Sequence, residues 1–303
     1  MTHDSGFMII FIGGRSSMEF KMDNIWKTGI LMVVLTILFI FIGNLIGGST
    51  GALVAFLIAL ILNFASYWFS DRIVLSVYQA KEIGIKELPQ IQAIVENLAK
   101  KMSIPKPRIY MIRNPSANAF ATGRSPKFAS VALTEGIITM LNKEEIEAVL
   151  CHELTHIKNR DTLVMTIAAT LAGAITFIAR MAGFSAFSGS RDNDRGGNAL
   201  TLIAAFILAP IAALLIQMAI SRSREYMADE GAAIGTGKPL NLASALKKLT
   251  ESGKKMPMAA EPSSAHIFIV NPLAAGSFLL GLFSTHPPIE KRIEKLEFLA
   301  HGN

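Results

Sequence analysis

His152-Glu153-Leu154-Thr155-His156 is followed, after Ile157-Lys158-Asn159-Arg160-Asp161, by an apolar run over residues 162–179. On a helix, residues four apart share a face, so two imidazoles at this spacing can grip one metal ion from the same side. The Glu between them lies beside that ion, where it can take a proton from a water the metal activates. With 6 His in 303 residues the pattern is rare by chance. It is the hydrolytic half-site of a zinc peptidase. Upstream, Asn142 is a good helix N-cap and Glu145, three residues on, completes a capping-box pattern. Ile146, Val149 and Leu150 supply an apolar stripe. The sequence therefore predicts a zinc-binding helix that ends at a membrane surface.

The membrane is implied by composition. The chain is 51% hydrophobic and 17% charged, against about 25% charged in soluble domains. Four apolar runs approach the roughly 20 residues needed to cross a bilayer: 28–46, 52–69, 162–179 and 199–220. Gly47-Gly48-Ser49-Thr50-Gly51 is a tight polar turn between the first two, which read as a helical hairpin. A second span follows the first too closely for a cleaved signal peptide. Residues 1–17 look like an extension, with Met18 and Met22 as alternative starts.

Lys and Arg number 3 in residues 1–27, none in 47–51, 13 in 71–161, 3 in 180–198 and 10 in 221–303. Cytoplasmic segments carry the excess of Lys and Arg. The 47–51 turn is therefore expected outside, and the N-terminus, 71–161 and 221–303 in the cytoplasm. The net charge of +6 reports topology; no basic stripe interleaved with aromatics points to nucleic acid. The single cysteine, Cys151, permits no internal disulfide and reads as a packing residue beside the metal face. The expected organisation is a cytosolic segment (1–27), a transmembrane hairpin (28–70), a first catalytic part (71–161), a second hairpin (162–220) and a second catalytic part (221–303).

Within the catalytic parts, residues 88–102 have helical periodicity, with Pro89 suited to a first turn. In 108–112, Ile109 and Met111 share one face and Tyr110 and Ile112 the other, so both faces are expected to be covered. With 117–122 and 129–133 this makes a small antiparallel sheet. A helix is expected over 240–250, and a mobile stretch over 251–265. His266 and His301 read as loop or tail histidines. The fold class is a mainly α membrane protein, with four candidate transmembrane helices and a cytosolic α+β zincin-like (gluzincin) domain.

Catalytic zinc has three protein ligands and one open position. Asn159 and Thr162 stand where a metzincin has Gly and His, so the third ligand lies further along the chain. Glu225, at the start of a helix, is the candidate; Asp161 and Glu230 compete. Asp229, four residues on, is placed to hold a ligating imidazole by its other ring nitrogen. A zinc-holding scaffold fits less well, because structural zinc has four protein ligands. A transporter fits less well too, because the spans contain almost no ionisable residues.

The chain resembles the HtpX-type membrane zinc metallopeptidases, related to the CAAX prenyl endopeptidases. The matching stretches run from Cys151 to Asp161, from Ser221 to Asp229, from Asn114 to Gly123, and over Thr285-His286-Pro287-Pro288. The resemblance implies one zinc ion on His152, His156 and Glu225, with Glu153 as general base. It implies a substrate-binding edge strand at Asn118, Ala119 and Phe120, and a transition-state role for His286. It further implies cleavage of misfolded or damaged membrane proteins at the cytoplasmic face of the inner membrane under stress, with duties overlapping those of other membrane proteases. The sequence leaves the oligomeric state open.

Overall fold

The computed structural model describes residues 17–188, 222–258, 260, 263–270, 272 and 287–301. Helix α1 (Ser17–Val77) is two helices joined at Gly47 and Gly48. Gly48 has φ 57°, a left-handed value that glycine adopts without a Cβ clash. The two arms fold back side by side, since Asn63 Nδ2 donates to Thr36 Oγ1 at 2.8 Å and to the Met32 carbonyl at 3.3 Å. Asn24–Asn44 and Gly47–Val77 are each long and apolar enough to cross a membrane. Their outer faces expose Ile30, Val33, Ile37, Phe41, Leu57, Ile61 and Phe64, the pattern of side chains that face lipid.

The third apolar run forms the start of α5 (Asp161–Ser188). Over Asp161–Thr176 this helix is enclosed on two sides. Leu163, Val164, Ile167, Leu171 and Ile175 pack on Leu31 and Leu35 of α1. Met165 and Ala169 turn the other way, towards Tyr110, Phe120 and Phe268. The fourth run, 199–220, lies outside the described residues. Among the described residues two helices qualify as spans, where four runs qualify by sequence.

The sheet is mixed, a correction to the antiparallel expectation. Its order is β1 (Lys81–Glu82), β2 (Arg108–Ile112), β4 (Ser130–Thr134), β3 (Ala119–Thr122). β2 and β4 run parallel, with Ile109 opposite Val131, while β3 pairs antiparallel with β4, Phe120 opposite Ala132. After β2 the chain passes beyond the place β4 will fill, makes β3 at the far side, then returns between them. Both faces are covered, as the alternation in 108–112 predicts. Ile109, Ala119, Ala121, Val131 and Leu133 face the main core. Tyr110, Ile112, Phe120 and Ala132 face Val74, Tyr78 and Met165.

The main core is built around α4 (Lys143–Asn159), which follows the short α3 (Glu135–Met140) and is packed by α2 (Pro89–Met102), α6 (Arg222–Thr236), α7 (Pro239–Lys255) and α8 (Ile289–His301). Pro89 occupies the first turn of α2. Helix α7 runs past residue 250 to Lys255, into the stretch expected to be mobile. No proline interrupts it before Pro257, and Lys254 and Lys255 complement its C-terminal dipole. Further on, Ser264 Oγ lies 2.6 Å from Tyr78 Oη, and His266 Nε2 lies 3.1 Å from the Met165 carbonyl. His266 is buried and is no loop histidine; His301 is exposed.

Candidate metal centre

Helix α4 starts on the expected capping box. Asn142 Oδ1 accepts from the Glu145 N–H at 2.8 Å, and Glu145 Oε2 accepts from the Asn142 N–H at 3.0 Å. It ends at Arg160, which is left-handed at φ 61°, and α5 begins at once with Asp161. Helix α6 approaches α4 closely because two glycines face it. A Cβ on Gly231 would lie 2.6 Å from Thr155, and one on Gly235 would lie 2.5 Å from Cys151 Sγ. Cys151 is sealed in this contact, and burial pushes its thiol up to about 12. It packs and does not reach the metal face.

The close approach brings Glu225 to the two imidazoles. His152 Nε2 and His156 Nε2 are 3.2 Å apart. Glu225 Oε1 is 3.5 Å from His156 Nε2, and Oε2 is 3.9 Å from His152 Nε2. All three residues are buried. A tetrahedral ion with bonds of about 2.0–2.2 Å sets its ligand atoms roughly 3.4 Å apart. The three side chains fit such an ion. Glu230 is only half-buried and stands outside this group.

Each imidazole has a carboxylate oxygen close to its other nitrogen. His152 Nδ1 lies 3.0 Å from Asp229 Oδ1. His156 Nδ1 lies 2.9 Å from Asp161 Oδ2. So Asp161, a competing ligand by sequence, instead faces the far side of His156. Arg292, fully buried on α8, forks onto Asp229: Nε donates to Oδ2 at 2.8 Å and Nη2 to Oδ1 at 2.6 Å. Its Nη1 reaches Glu225 Oε2 at 3.3 Å and the Ile269 carbonyl at 3.1 Å.

Two buried carboxylates, Asp229 and Glu225, meet the Arg292 guanidinium, and two more, Glu153 and Asp161, are buried around the same histidines. Burial raises the Glu153 carboxyl to about 7, with Glu225 adding to the rise; His156, the Ala121 N–H and Arg292 oppose it. Burial and the neighbouring His156 depress His152 to about 4, against Asp229. For His156, burial is outweighed by Asp161, Glu225 and Glu153, which raise it to about 9. Excess negative charge that draws a proton onto an imidazole is the field a cation would satisfy.

The candidate substrate edge lies beside this centre, since β3 packs against α4 and the Ala121 N–H acts on the Glu153 carboxyl. Its other end is met by this chain itself. Phe268 forms an antiparallel bridge with Phe120, and the Ile269 N–H donates to the Ala119 carbonyl at 3.0 Å. Asn118 grips Val270 at both backbone groups, Nδ2 to its carbonyl at 2.8 Å and Oδ1 to its N–H at 3.4 Å. Residues 268–270 therefore dock as a short extra strand. His286 lies outside the described residues.

Residues 86–300 match Peptidase family M48. The chain is 55% identical over 276 residues to a Protease HtpX homolog of Pyrococcus furiosus, covering 90% of this chain and 95% of the relative. It is 51% identical over 280 residues to a Protease HtpX homolog of Syntrophobacter fumaroxidans, covering 91% and 99%. The chain belongs to peptidase family M48. With its two long apolar helices, it is a membrane metalloprotease of the HtpX type. A crystal structure of S. mikatae Ste24p shares the fold, with a TM-score of 0.50 at 19% identity over 92% of this chain and 67% of that one.

Two contributors to this M48 site escape the motif reading. Arg292 falls on the apolar stripe of α8 with Ile289, Ile293 and Leu296, and a cation on a core-facing stripe is the signal for a buried ion pair. Asn24 donates to Asp161 Oδ1 at 2.9 Å and to the Asn159 carbonyl at 3.2 Å, and accepts from Arg224 at 3.3 Å. No local pattern announces a contact between residues 137 apart.

Proposed function

We propose that this metalloprotease is a zinc endopeptidase that hydrolyses peptide bonds of misfolded or damaged membrane proteins at the cytoplasmic face of the membrane. The observation that carries the reading is the buried His152, His156 and Glu225 triad with Glu153 on the same helix. A bound zinc ion would supply the Lewis acid that makes water nucleophilic near neutral pH and polarises the peptide carbonyl. Glu153 takes the proton from the attacking water and returns it to the leaving nitrogen. Glu153 is buried next to His152 on the same helix, which places its carboxylate where such a transfer needs it. Asp161 and Asp229 fix the imidazole orientations, and Arg292 fixes Asp229 and Glu225. His286 is proposed to steady the oxyanion.

Substrate selection is proposed to rest on main-chain pairing along Asn118, Ala119 and Phe120. Such pairing makes little demand on side chains, which suits clearance of damaged proteins of any sequence. The excess of Lys and Arg in 71–161 and 221–303 supports the cytoplasmic orientation.

The test uses full-length protein in mild detergent, stripped by chelator and given back zinc, with an unfolded protein as substrate. Cleavage that needs zinc and is lost in Glu153→Gln, with one zinc per chain kept, is the expected result. Wild-type cleavage by Glu153→Gln would remove Glu153 from the chemistry. One zinc per chain without cleavage by either form would favour a zinc-holding scaffold.

A further inference from the structure

We propose that a basic pocket at the end of the second α1 arm binds the phosphate of an anionic phospholipid headgroup. The pocket has a volume of about 240 Å³, and its lining includes Arg72, Lys106, Arg108, Arg124 and Lys127. Five cations therefore converge on one concavity whose lining holds a single carboxylate, Asp71. They come from three places in the chain: the end of α1, the start of β2, and the turn between β3 and β4. Among the described residues, Asp71 is met only by Arg108, at 3.4 Å. Lys106 lies 3.5 Å from Glu96, which stands outside the pocket. Among the described residues no carboxylate is within ion-pair distance of Arg72, Arg124 or Lys127. An excess of Lys and Arg on the cytoplasmic side requires no such convergence; scattered loop charges would satisfy it equally.

The pocket is shaped as well as charged. The Arg124 guanidinium is held between two rings, 4.6 Å from the centre of Trp68 and 3.9 Å from that of Phe128. Its Nη1 also donates to the Trp68 carbonyl at 3.4 Å. A stacked guanidinium is fixed in plane and keeps further N–H donors for an anion. Little side-chain entropy is then lost when a phosphate binds.

Depth selects a lipid as the source of that phosphate. Phe64, Tyr67, Trp68 and Phe69 cluster at the end of the apolar arm, and aromatic belts mark the membrane boundary. Arg72 follows one turn later, about 6 Å further along the helix. The headgroup layer is itself roughly 5–7 Å deep on each side, so the cations stand level with lipid phosphates. This placement rests on the α1 arms lying in the membrane.

The test follows the melting temperature of the full chain in a neutral detergent while dihexanoyl phosphatidylglycerol, dihexanoyl phosphatidylcholine or inorganic phosphate is added. Phosphatidylglycerol is expected to raise the melting temperature saturably, and phosphatidylcholine and inorganic phosphate to fall well short at equal concentration. Arg72→Gln with Lys127→Gln is expected to raise the half-saturating concentration about 30-fold, at roughly fivefold per cation removed. Arg124→Lys, which keeps the charge but loses the stacked fork, is expected to weaken binding less than Arg124→Gln. Lys127→Gln alone, at an exposed position, carries the test at about fivefold should the double variant fail to fold. An equal shift with phosphatidylcholine, an unchanged half-point in the variants, or an equal shift with inorganic phosphate would each overturn the assignment. Binding is the readout, so its failure leaves the peptidase reading intact.

Discussion

Arg292 carries the electrostatic cost of the metal centre. A buried guanidinium is tolerated only where carboxylates surround it, and Asp229 and Glu225 do so at 2.6 to 3.3 Å. It touches neither His152 nor His156 directly. It acts as a positioning residue, aligning Asp229 behind His152 and turning Glu225 towards the histidines. Removing one partner of a buried pair leaves the other charge uncompensated, at about 3–5 kcal/mol. Arg292→Met is therefore expected to lower stability by that amount and to weaken zinc binding. Arg292→Lys keeps the charge but cannot fork onto both oxygens of Asp229, and an intermediate loss is expected. Adding Asp229→Asn to Arg292→Met should recover part of the stability, because the buried charge goes with its partner. Thermal melting and zinc titration against a chelator read both effects. Wild-type values for Arg292→Met would sink the positioning role.

At the scale of elements, α4 owes its start to a carboxylate that does three things. Glu145 closes the capping box, accepts from Ser244 Oγ at 2.6 Å and pairs with Lys248 at 2.8 Å. Burial pushes its carboxyl up, but Lys248, Ser244 and the Asn142 N–H outweigh burial and hold it below its ordinary value. A depressed folded-state value gives stability that is present above the unfolded-state value, about 4.3, and is lost as pH falls through the folded one. Glu145→Gln is thus expected to melt lower than wild type at pH 7, with the gap closing below about pH 4; a constant gap would assign the loss to packing. This element was legible because capping and apolar periodicity are local. The β2 to β4 pairing was not, because a parallel ladder is fixed by where the chain returns after β3. The docked strand 268–270 was hidden for the same reason: Phe268 meets Phe120 across 148 positions. Phe268 rests on Phe120 and Tyr78 at ring distances of 5.1 and 4.9 Å. If an extended substrate pairs with Ala119 and Phe120, this strand must leave first. Phe268→Ala should then lower KM for an unfolded substrate and leave kcat near its wild-type value. An unchanged KM would place the substrate elsewhere.

At the scale of the molecule, the membrane arms and the chemistry are one structure. The sequence separates them into hairpin and catalytic parts, because hydropathy sorts residues by solvent and not by contact. The structure joins them twice. Leu31 and Leu35 of α1 pack along α5, and Asn24 at the start of the first apolar arm holds Asp161, which holds His156. The route from span to candidate ligand is therefore Asn24, Asp161, His156, in steps of 2.9 Å each. Asn24 is buried, as are Asp161 and Arg224, so its amide balances an acceptor on one side and a cation on the other. Asn24→Ala removes one hydrogen bond from a carboxylate that keeps its imidazole. A charge-assisted bond of this kind contributes about 1.5–3 kcal/mol, and only part of it reaches the metal through Asp161. Zinc affinity should fall by roughly fivefold to tenfold, with stoichiometry still one per chain. Asp161→Asn, which touches the imidazole itself, should cost more, about 10- to 100-fold. The ordering of the two variants carries the argument, and chelator competition on full-length protein in detergent measures it. If Asn24→Ala binds zinc as tightly as wild type while Asp161→Asn does not, the first arm is an anchor alone.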